Sequence, residues 1–416
     1  MSELAICDLH AARGRDHSHP RDWVTVFAGA RDSYQAAIAL HEAGLLRQCV
    51  TDVYAPLDSS LFRMASRLLP SRARAKWERR FHPSLPSSLV QSSWRYAAHA
   101  QLRAEMWPDY SYLLGERAAQ VAKRYGSGIL AYSHVATSAF QSAPHARKVL
   151  IQVQPHPSAV RDALLADRLV PEWDDHTYNE LQWPKHVFDR YMCEPRLADL
   201  CITASDYTRL TLLASGVPPE RTAVVPYGVD LEFFTPGGER PHDFTVLFAG
   251  QLTRQKGLHY LLSAWKKLSL RNAELRVAGA GNVEALAGYF GGNVRQLGQL
   301  LWNPMRDEYR HADLVCLPSL SDNFPLVALQ ALACGTPVLT TTCCGAADVI
   351  EEGQNGWTVP AVNVDALSAA LLWAYEHRDC LVAMRGAARR TAEGFSWSVF
   401  RQSLIALLSR SQYRPR

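Results

Sequence analysis

The chain has 416 residues, 48% of them hydrophobic and 20% charged, the mixture of a globular protein of about two domains. That apolar content excludes wholesale disorder, and ordinary glycine and proline levels exclude collagen-like and low-complexity classes. A net charge of +4 is too small to argue for nucleic acid, so no nucleic-acid partner is expected. Nine cysteines, an odd number with no C-x-x-C pair, argue against a disulfide framework or structural zinc and fit a reducing compartment. No run of about 18 apolar residues is present, and the N-terminus lacks the apolar stretch of a signal peptide. Residues 1–22 are therefore expected to be a flexible tail on a soluble, cytoplasmic protein.

In chain order, the first strand is WVTVFAG (23–29), followed by a glycine turn and a helical pattern with Ala36, Ala37, Leu40 and Leu45 on one side. Strand, glycine turn and helix open a parallel α/β unit. Residues 61–86 change character. Seven of the residues from Arg63 to Arg80 are Lys or Arg, with Phe62, Leu68, Leu69, Trp77 and Phe81 interleaved. Two readings stay open: a solvated connector over the sheet, or a peripheral membrane-binding surface over 63–80, with cations for anionic lipid and apolar groups for the interface.

The strand rhythm resumes with ILAYSH (129–134), VLIQVQ (149–154), LCITAS (200–205) and AVVPYG (223–228), around a long, mostly helical stretch rich in Trp, Tyr and His. The polar stretch 229–243, with Pro236-Gly237-Gly238, reads as a linker. A fresh series follows: FTVLFAG (244–250), AELRVAGAG (273–281), a strand near Val294, ADLVCLPS (312–319), PVLTTT (337–342) and GWTVP (356–360). FSWSVFRQSLIALLSR (395–410) reads as an amphipathic helix. Strands alternating with helices twice over predict an α/β fold of two doubly wound parallel-sheet domains, with a cleft at their facing carboxyl ends.

Two segments carry chemistry. In FAGQLTRQKGLHYLLSAW a buried strand leads into Gln251, Arg254 and Lys256, and Gly257 opens a helix. Cations just before a helix N-terminus suit a diphosphate; solvated loop cations are the alternative. In LPSLSDNFPLVALQALACGTPV, Ser319, Ser321, Asp322 and Asn323 follow a strand and precede a helix. Asp322 reads either as a plain N-cap or as a ligand of a sugar or phosphate. Gln330, eight residues on, is expected down the same side, within reach of a ribose.

The runs FAGQLTRQKG, LRVAGAG and VRQLGQL, the block from Leu317 to Thr342, and EEGQNGWTVP together make residues 244–360 resemble the C-terminal, nucleotide-sugar-binding domain of glycosyltransferase family 4, which has the GT-B architecture. The resemblance implies two Rossmann-like domains facing each other across a cleft: an acceptor domain over 23–235 and a nucleotide-sugar domain over 236–394. Residues 395–416 would form a helix crossing back to the first domain. It also implies retaining, hexosyltransferase-like chemistry. A sugar would pass from a nucleotide-diphosphate co-substrate, of UDP or GDP type, to a glycan or lipid-linked glycan in polysaccharide or glycoconjugate biosynthesis, without metal or other cofactor. A lipid-linked acceptor would place the protein peripherally at the cytoplasmic membrane face.

In this resemblance Lys256, Arg254, Asp322 and His134 are the catalytic candidates. Gly29, Gln251, Gly257, Leu297, Asn323, Phe324, Pro325, Leu326 and Gln330 are the donor-binding ones. Arg31, Asp32 and His156 fall on the acceptor side. The family's two motif glutamates fall on Asp322 and Gln330, and the arginine often found after the first strand's glycine is Gln251. Pro325 has no amide hydrogen to offer. These departures keep two alternatives in view: a GT-B sugar-nucleotide epimerase and a non-catalytic nucleotide-sugar binding protein.

Overall fold

A computed structural model of the chain describes residues 22–92, 107–175, 179–238 and 242–410. The expected tail, save Asp22, lies outside them. The first sheet holds seven parallel strands: β1 Trp23–Val26, β2 Leu46–Thr51, β3 Val90–Ser92, β4 Gly128–Tyr132, β5 Lys148–Gln152, β6 Leu200–Thr203 and β7 Thr222–Val224, in the order β3-β2-β1-β4-β5-β6-β7. The second holds six: β8 Phe244–Ala249, β9 Ala273–Ala278, β10 Val294–Gly298, β11 Leu314–Leu317, β12 Val338–Thr341 and β13 Gly356–Val359, in the order β10-β9-β8-β11-β12-β13.

Helices cover the sheets, so central strands such as VTV and VLFA are buried on both faces and read as unbroken apolar runs. β2 and β3 escape a sequence reading for the opposite reason. β2 interrupts its apolar residues with Arg47 and Gln48, and β3 is a three-residue edge strand. Strand order reverses between β1 and β4 in the first sheet and between β8 and β11 in the second. Crevices open at the carboxyl ends of such strand pairs. The loops after β1, β4, β8 and β11 are the four that carry Gly29, His134, Lys256 and Asp322.

Among the stretches that cross between the domains are the last helix and the linker. The helix Trp397–Leu408, capped by the Ser396 hydroxyl on the Val399 amide, buries Phe400, Leu404, Leu407 and Leu408 in the first domain's core. Arg401 fastens it to Gln35 (2.7 Å) and Glu42 (2.9 Å) of the helix Gln35–Glu42. The stretch read as a linker is partly anchored: Phe234 is buried against Trp302 and Tyr309, and its carbonyl accepts from Arg389. Leu404 is fully buried, so Leu404→Ala is expected to lower unfolding free energy by about 2–5 kcal/mol in urea denaturation followed by circular dichroism.

Candidate active site

The loop after β8 is built against the loop after β11. Gly257 sits at φ 71°, and a β-carbon there would lie 1.9 Å from the Pro318 carbonyl oxygen, so only glycine allows the approach. The Leu320 amide donates to the Gln255 carbonyl (2.8 Å), and Gln255 Nε2 donates to the Ser321 carbonyl (2.7 Å). Held this way, Lys256 Nζ reaches Asp322 Oδ2 at 2.5 Å, and Ser319 Oγ donates to the same oxygen at 3.3 Å. An ammonium and a carboxylate thus share one spot at the second sheet's point of reversal.

Asp322 is not a helix cap. Its amide and carbonyl pair with Cys343 and Gly345, and the helix Leu326–Ala333 starts four residues later with Pro325 at the N-cap position. The picture of Asp322 and Gln330 on one helical face is therefore corrected: only Gln330 is helical. Tyr309 OH donates to Gln330 Oε1 at 2.9 Å and orients the amide. Phe324 is buried in the core beside Tyr227, Leu326 opens the helix, and Leu297 lies in β10. Gln251 is exposed at the start of the loop.

Arg254 also departs from expectation. Its guanidinium turns away from Lys256. It pairs with Asp167 at 2.7 Å and donates to the carbonyls of Val170, Pro171 and Trp173, each at 3.3 Å. A buried carboxylate outcompetes the solvated loop position that a diphosphate ligand would require.

In the first domain, Gly29 turns at φ 83° and donates its amide to Asp52 Oδ1 (3.0 Å), which Arg80 also holds at 2.8 Å. Asp32, Ser33 and Tyr34 follow with φ of 42°, 51° and 66°, three consecutive left-handed residues without a glycine. Each costs on the order of 1–3 kcal/mol and persists only where its surroundings over-determine it. Here Tyr34 is locked in the core and Tyr132 OH donates to Asp32 Oδ2. Asp32 Oδ1 is shut from solvent with no partner among the described residues. Burial pushes the Asp32 carboxyl up to about 7, against the pull of Tyr132 and the amides of Gln35 and Ala36.

His134, two residues past the end of β4, has φ 79°. Its amide donates to Glu194 Oε2 (2.7 Å), and the amides of Ala136 and Thr137 donate to Oε1 (3.0 and 3.1 Å). This buried glutamate, from the helix Lys185–Leu197, supplies the cap that the helix Ala136–Ser142 lacks in its own sequence. The His134 ring packs on Tyr191 (4.6 Å) and Trp183 (5.8 Å). Burial and the nearby Arg31 charge push its imidazole down to about 3, so it is neutral at pH 7 and hydrogen-bonds rather than carrying charge. Arg31, Asp32 and His134 are brought together. His156 is not with them: it is buried beside its own helix, with Nδ1 2.7 Å from Ser158 Oγ, and burial pushes it down to about 4.

The carboxyl ends of the two sheets meet directly. Asn323 Nδ2 donates to the Gln152 carbonyl (3.3 Å), Ser205 Oγ donates to Asn323 Oδ1 (3.4 Å), and the Tyr207 and Ser321 hydroxyls are 2.9 Å apart. Sequence reasoning missed Asp52, Asp167, Glu194, Tyr132 and Tyr207. Tyr132, inside a predicted strand two residues before His134, is the one that position signals. Asp175 and Glu180 lie in the aromatic-rich stretch between β5 and β6; His176 in the same stretch lies outside the described residues. Glu180 is buried and pushed up to about 7 by that burial. Among the described residues no group of three or more His, Cys, Asp or Glu is arranged to hold a metal ion.

The Asp32 geometry sets a pH dependence. Its carboxyl holds its proton more tightly folded (about 7) than unfolded (3.8), so its contribution to stability is fully present below about pH 4 and is lost as pH rises to about 7. Asn at that position carries no such loss. Urea midpoints of wild type and Asp32→Asn at pH 5 and pH 8 are expected to move in the variant's favour at the higher pH; a gap independent of pH would contradict the assignment.

Residues 243–377 match the family described as Glycosyl transferases group 1. The chain is 32% identical over 276 residues to the D-inositol 3-phosphate glycosyltransferase of Kribbella flavida, covering 59% of this chain and 62% of that protein. It is 32% identical over 233 residues to the protein of the same name from Geodermatophilus obscurus, covering 50% and 51%. The aligned stretches thus span between half and about three fifths of these relatives' length. Among solved structures, sucrose-phosphate synthase from Thermosynechococcus elongatus superposes with a TM-score of 0.67 at 18% identity, over 93% of this chain and 98% of that one. Anabaena HepE in complex with UDP superposes with a TM-score of 0.62 at 15% identity, over 93% and 99%. At such identities these two likenesses speak for the fold. The chain has the GT-B fold, and residues 243–377 of its second domain match the group 1 glycosyl transferase model.

Proposed function

We propose that the protein is a retaining glycosyltransferase that moves a hexosyl group from a UDP- or GDP-sugar to a glycan or lipid-linked glycan without a metal. The observation that carries this reading is the Lys256–Asp322 pair at the second sheet's point of reversal, with Arg31, Asp32 and His134 at the first sheet's point of reversal. Breaking the anomeric C–O bond leaves negative charge on the diphosphate. Lys256 and the N-terminal amides of the helix Leu326–Ala333 supply positive charge for it. Gln330, oriented by Tyr309, is suited to a ribose hydroxyl, and neutral His134 to a sugar hydroxyl. The acceptor attacks the face the diphosphate leaves, from the side of the strained 31–34 loop. Relatives named for glycosyl transfer to inositol phosphate and a neighbour solved with UDP support the reaction class. Arg254, turned away to Asp167, favours a second reading, a nucleotide-sugar binder without turnover.

A thermal-shift panel of UDP, GDP, ADP and dTDP and their sugar conjugates, with and without metal, tests the donor site. At about 100 times its dissociation constant a ligand stabilises by about 2.7 kcal/mol. One base is expected to shift the melting temperature selectively, and Lys256→Ala is expected to lower turnover on that sugar conjugate by about 10²–10³-fold with little change in melting temperature. Selective binding with no turnover against any acceptor would favour the second reading.

The lipid-linked class of acceptor rests on the helix Ser60–Arg67. Leu61, Met64 and Leu68 lie along one side, 78%, 67% and 87% exposed, with Arg63 and Arg67 beside them. No helix among the described residues is long and apolar enough to cross a membrane. Exposed leucines flanked by arginines suit the surface of an anionic bilayer. The protein is expected to sediment with vesicles containing phosphatidylglycerol, less so at high salt, and Leu61→Ser with Leu68→Ser to remain in the supernatant. Equal binding to neutral vesicles would count against the electrostatic part.

A further inference from the structure

After the helix Pro157–Ala166 the first domain sends residues 167–175 onto the second. Val170 and Trp173 are buried in the second domain's core with Phe248, Leu258 and Leu261. Trp173 Nε1 donates to the Asn282 carbonyl (2.7 Å), Asn282 Nδ2 to the Asp174 carbonyl (2.9 Å), and the Arg254 amide to Asp175 Oδ2 (2.7 Å). At the root of this strap Asp167 is buried. Its carboxylate takes Arg254 Nη2 at 2.7 Å, His259 Nε2 at 2.9 Å and Tyr260 OH at 3.0 Å. Burial alone would raise this carboxyl, but the His259 and Arg254 contacts outweigh it and hold it well below the usual carboxylate range.

Arg254 and Lys256 share a single helical turn, Arg254–Lys256. A force that places one places the other. We infer that Asp167 is a positioning residue for the donor diphosphate: acting through Arg254, the first domain sets where the second domain's Lys256 stands. The inference rests on the glycosyltransferase reading above. It also accounts for Arg254, whose charge is spent on the strap instead of on phosphate. Losing one partner of a buried, hydrogen-bonded ion pair leaves the other charge uncompensated, so the turn is expected to shift when Asp167 is neutralised.

The test is calorimetric titration of wild type, Asp167→Asn and Tyr260→Phe with UDP, GDP, UMP and GMP, each well below its melting temperature. Whichever diphosphate wild type binds is expected to bind about tenfold more weakly to Asp167→Asn, since small misplacements of a positioned group are costly. The matching monophosphate, which lacks the β-phosphate that Lys256 meets, is expected to change by less than about twofold, within the effect of one neutral hydrogen bond. In a Lys256→Ala background the Asp167→Asn effect on the diphosphate should vanish. Tyr260→Phe keeps the ring and removes one hydrogen bond; it should show the same diphosphate-selective loss at about threefold, and it carries the comparison if Asp167→Asn does not fold. Equal losses for diphosphate and monophosphate would make the strap merely structural and overturn the inference, as would unchanged diphosphate affinity. Wild type binding neither diphosphate would overturn the donor-site reading itself.

Discussion

The approach of two loops at the carboxyl end of the second sheet is the constraint on which the site depends. Gly257 brings the backbone of one loop to within a β-carbon's radius of the Pro318 carbonyl, and Gln255 ties the two loops together by main-chain and side-chain hydrogen bonds. Only with that spacing do Lys256 and Asp322, 66 residues apart in sequence, meet at 2.5 Å. A bulkier residue at 257 would open the gap and separate the charges. Parallel strands make the geometry available, because every connection at this end of a doubly wound sheet leaves the same edge.

The first domain meets this fixed point with strain instead of closeness. Three left-handed residues at 32–34 and a fourth at His134 are held by partners distant in sequence: Tyr132 for Asp32, Glu194 for the turn that begins at His134. Such positions are maintained when the surrounding packing specifies them, and their place after β1 and β4 is the crevice of the first sheet. The raised Asp32 carboxyl and the neutral His134 share one cause, desolvation, which makes charge costly for both groups. Arg31 is the cation beside them.

Between the domains run three kinds of connection. The chain passes through residues 225–238, the terminal helix returns to the first domain's core, and the 167–175 strap enters the second domain's core. The strap touches the turn that carries Lys256. In the first domain, Arg80 and the Gly29 amide share the Asp52 carboxylate.

The sequence by itself determined the two parallel-sheet domains and the loops that matter, because strand periodicity, glycine turns and strand-to-loop junctions are local signals. FAGQLTRQKG and the block around Asp322 were legible for that reason, as was the amphipathic character of the last helix. Tertiary structure alone decided which residues in those loops are available. Arg254 reads as a phosphate cation, but Asp167, 87 residues earlier, takes its guanidinium; His156, expected on the acceptor side, is buried beside Ser158. Of the two readings the sequence leaves open for Asp322, the N-cap one is excluded by its pairing with Cys343 and Gly345, which holds it outside the helix. A buried charge is settled by whichever opposite charge the fold brings within hydrogen-bond distance, and that partner leaves no mark in the residues around it.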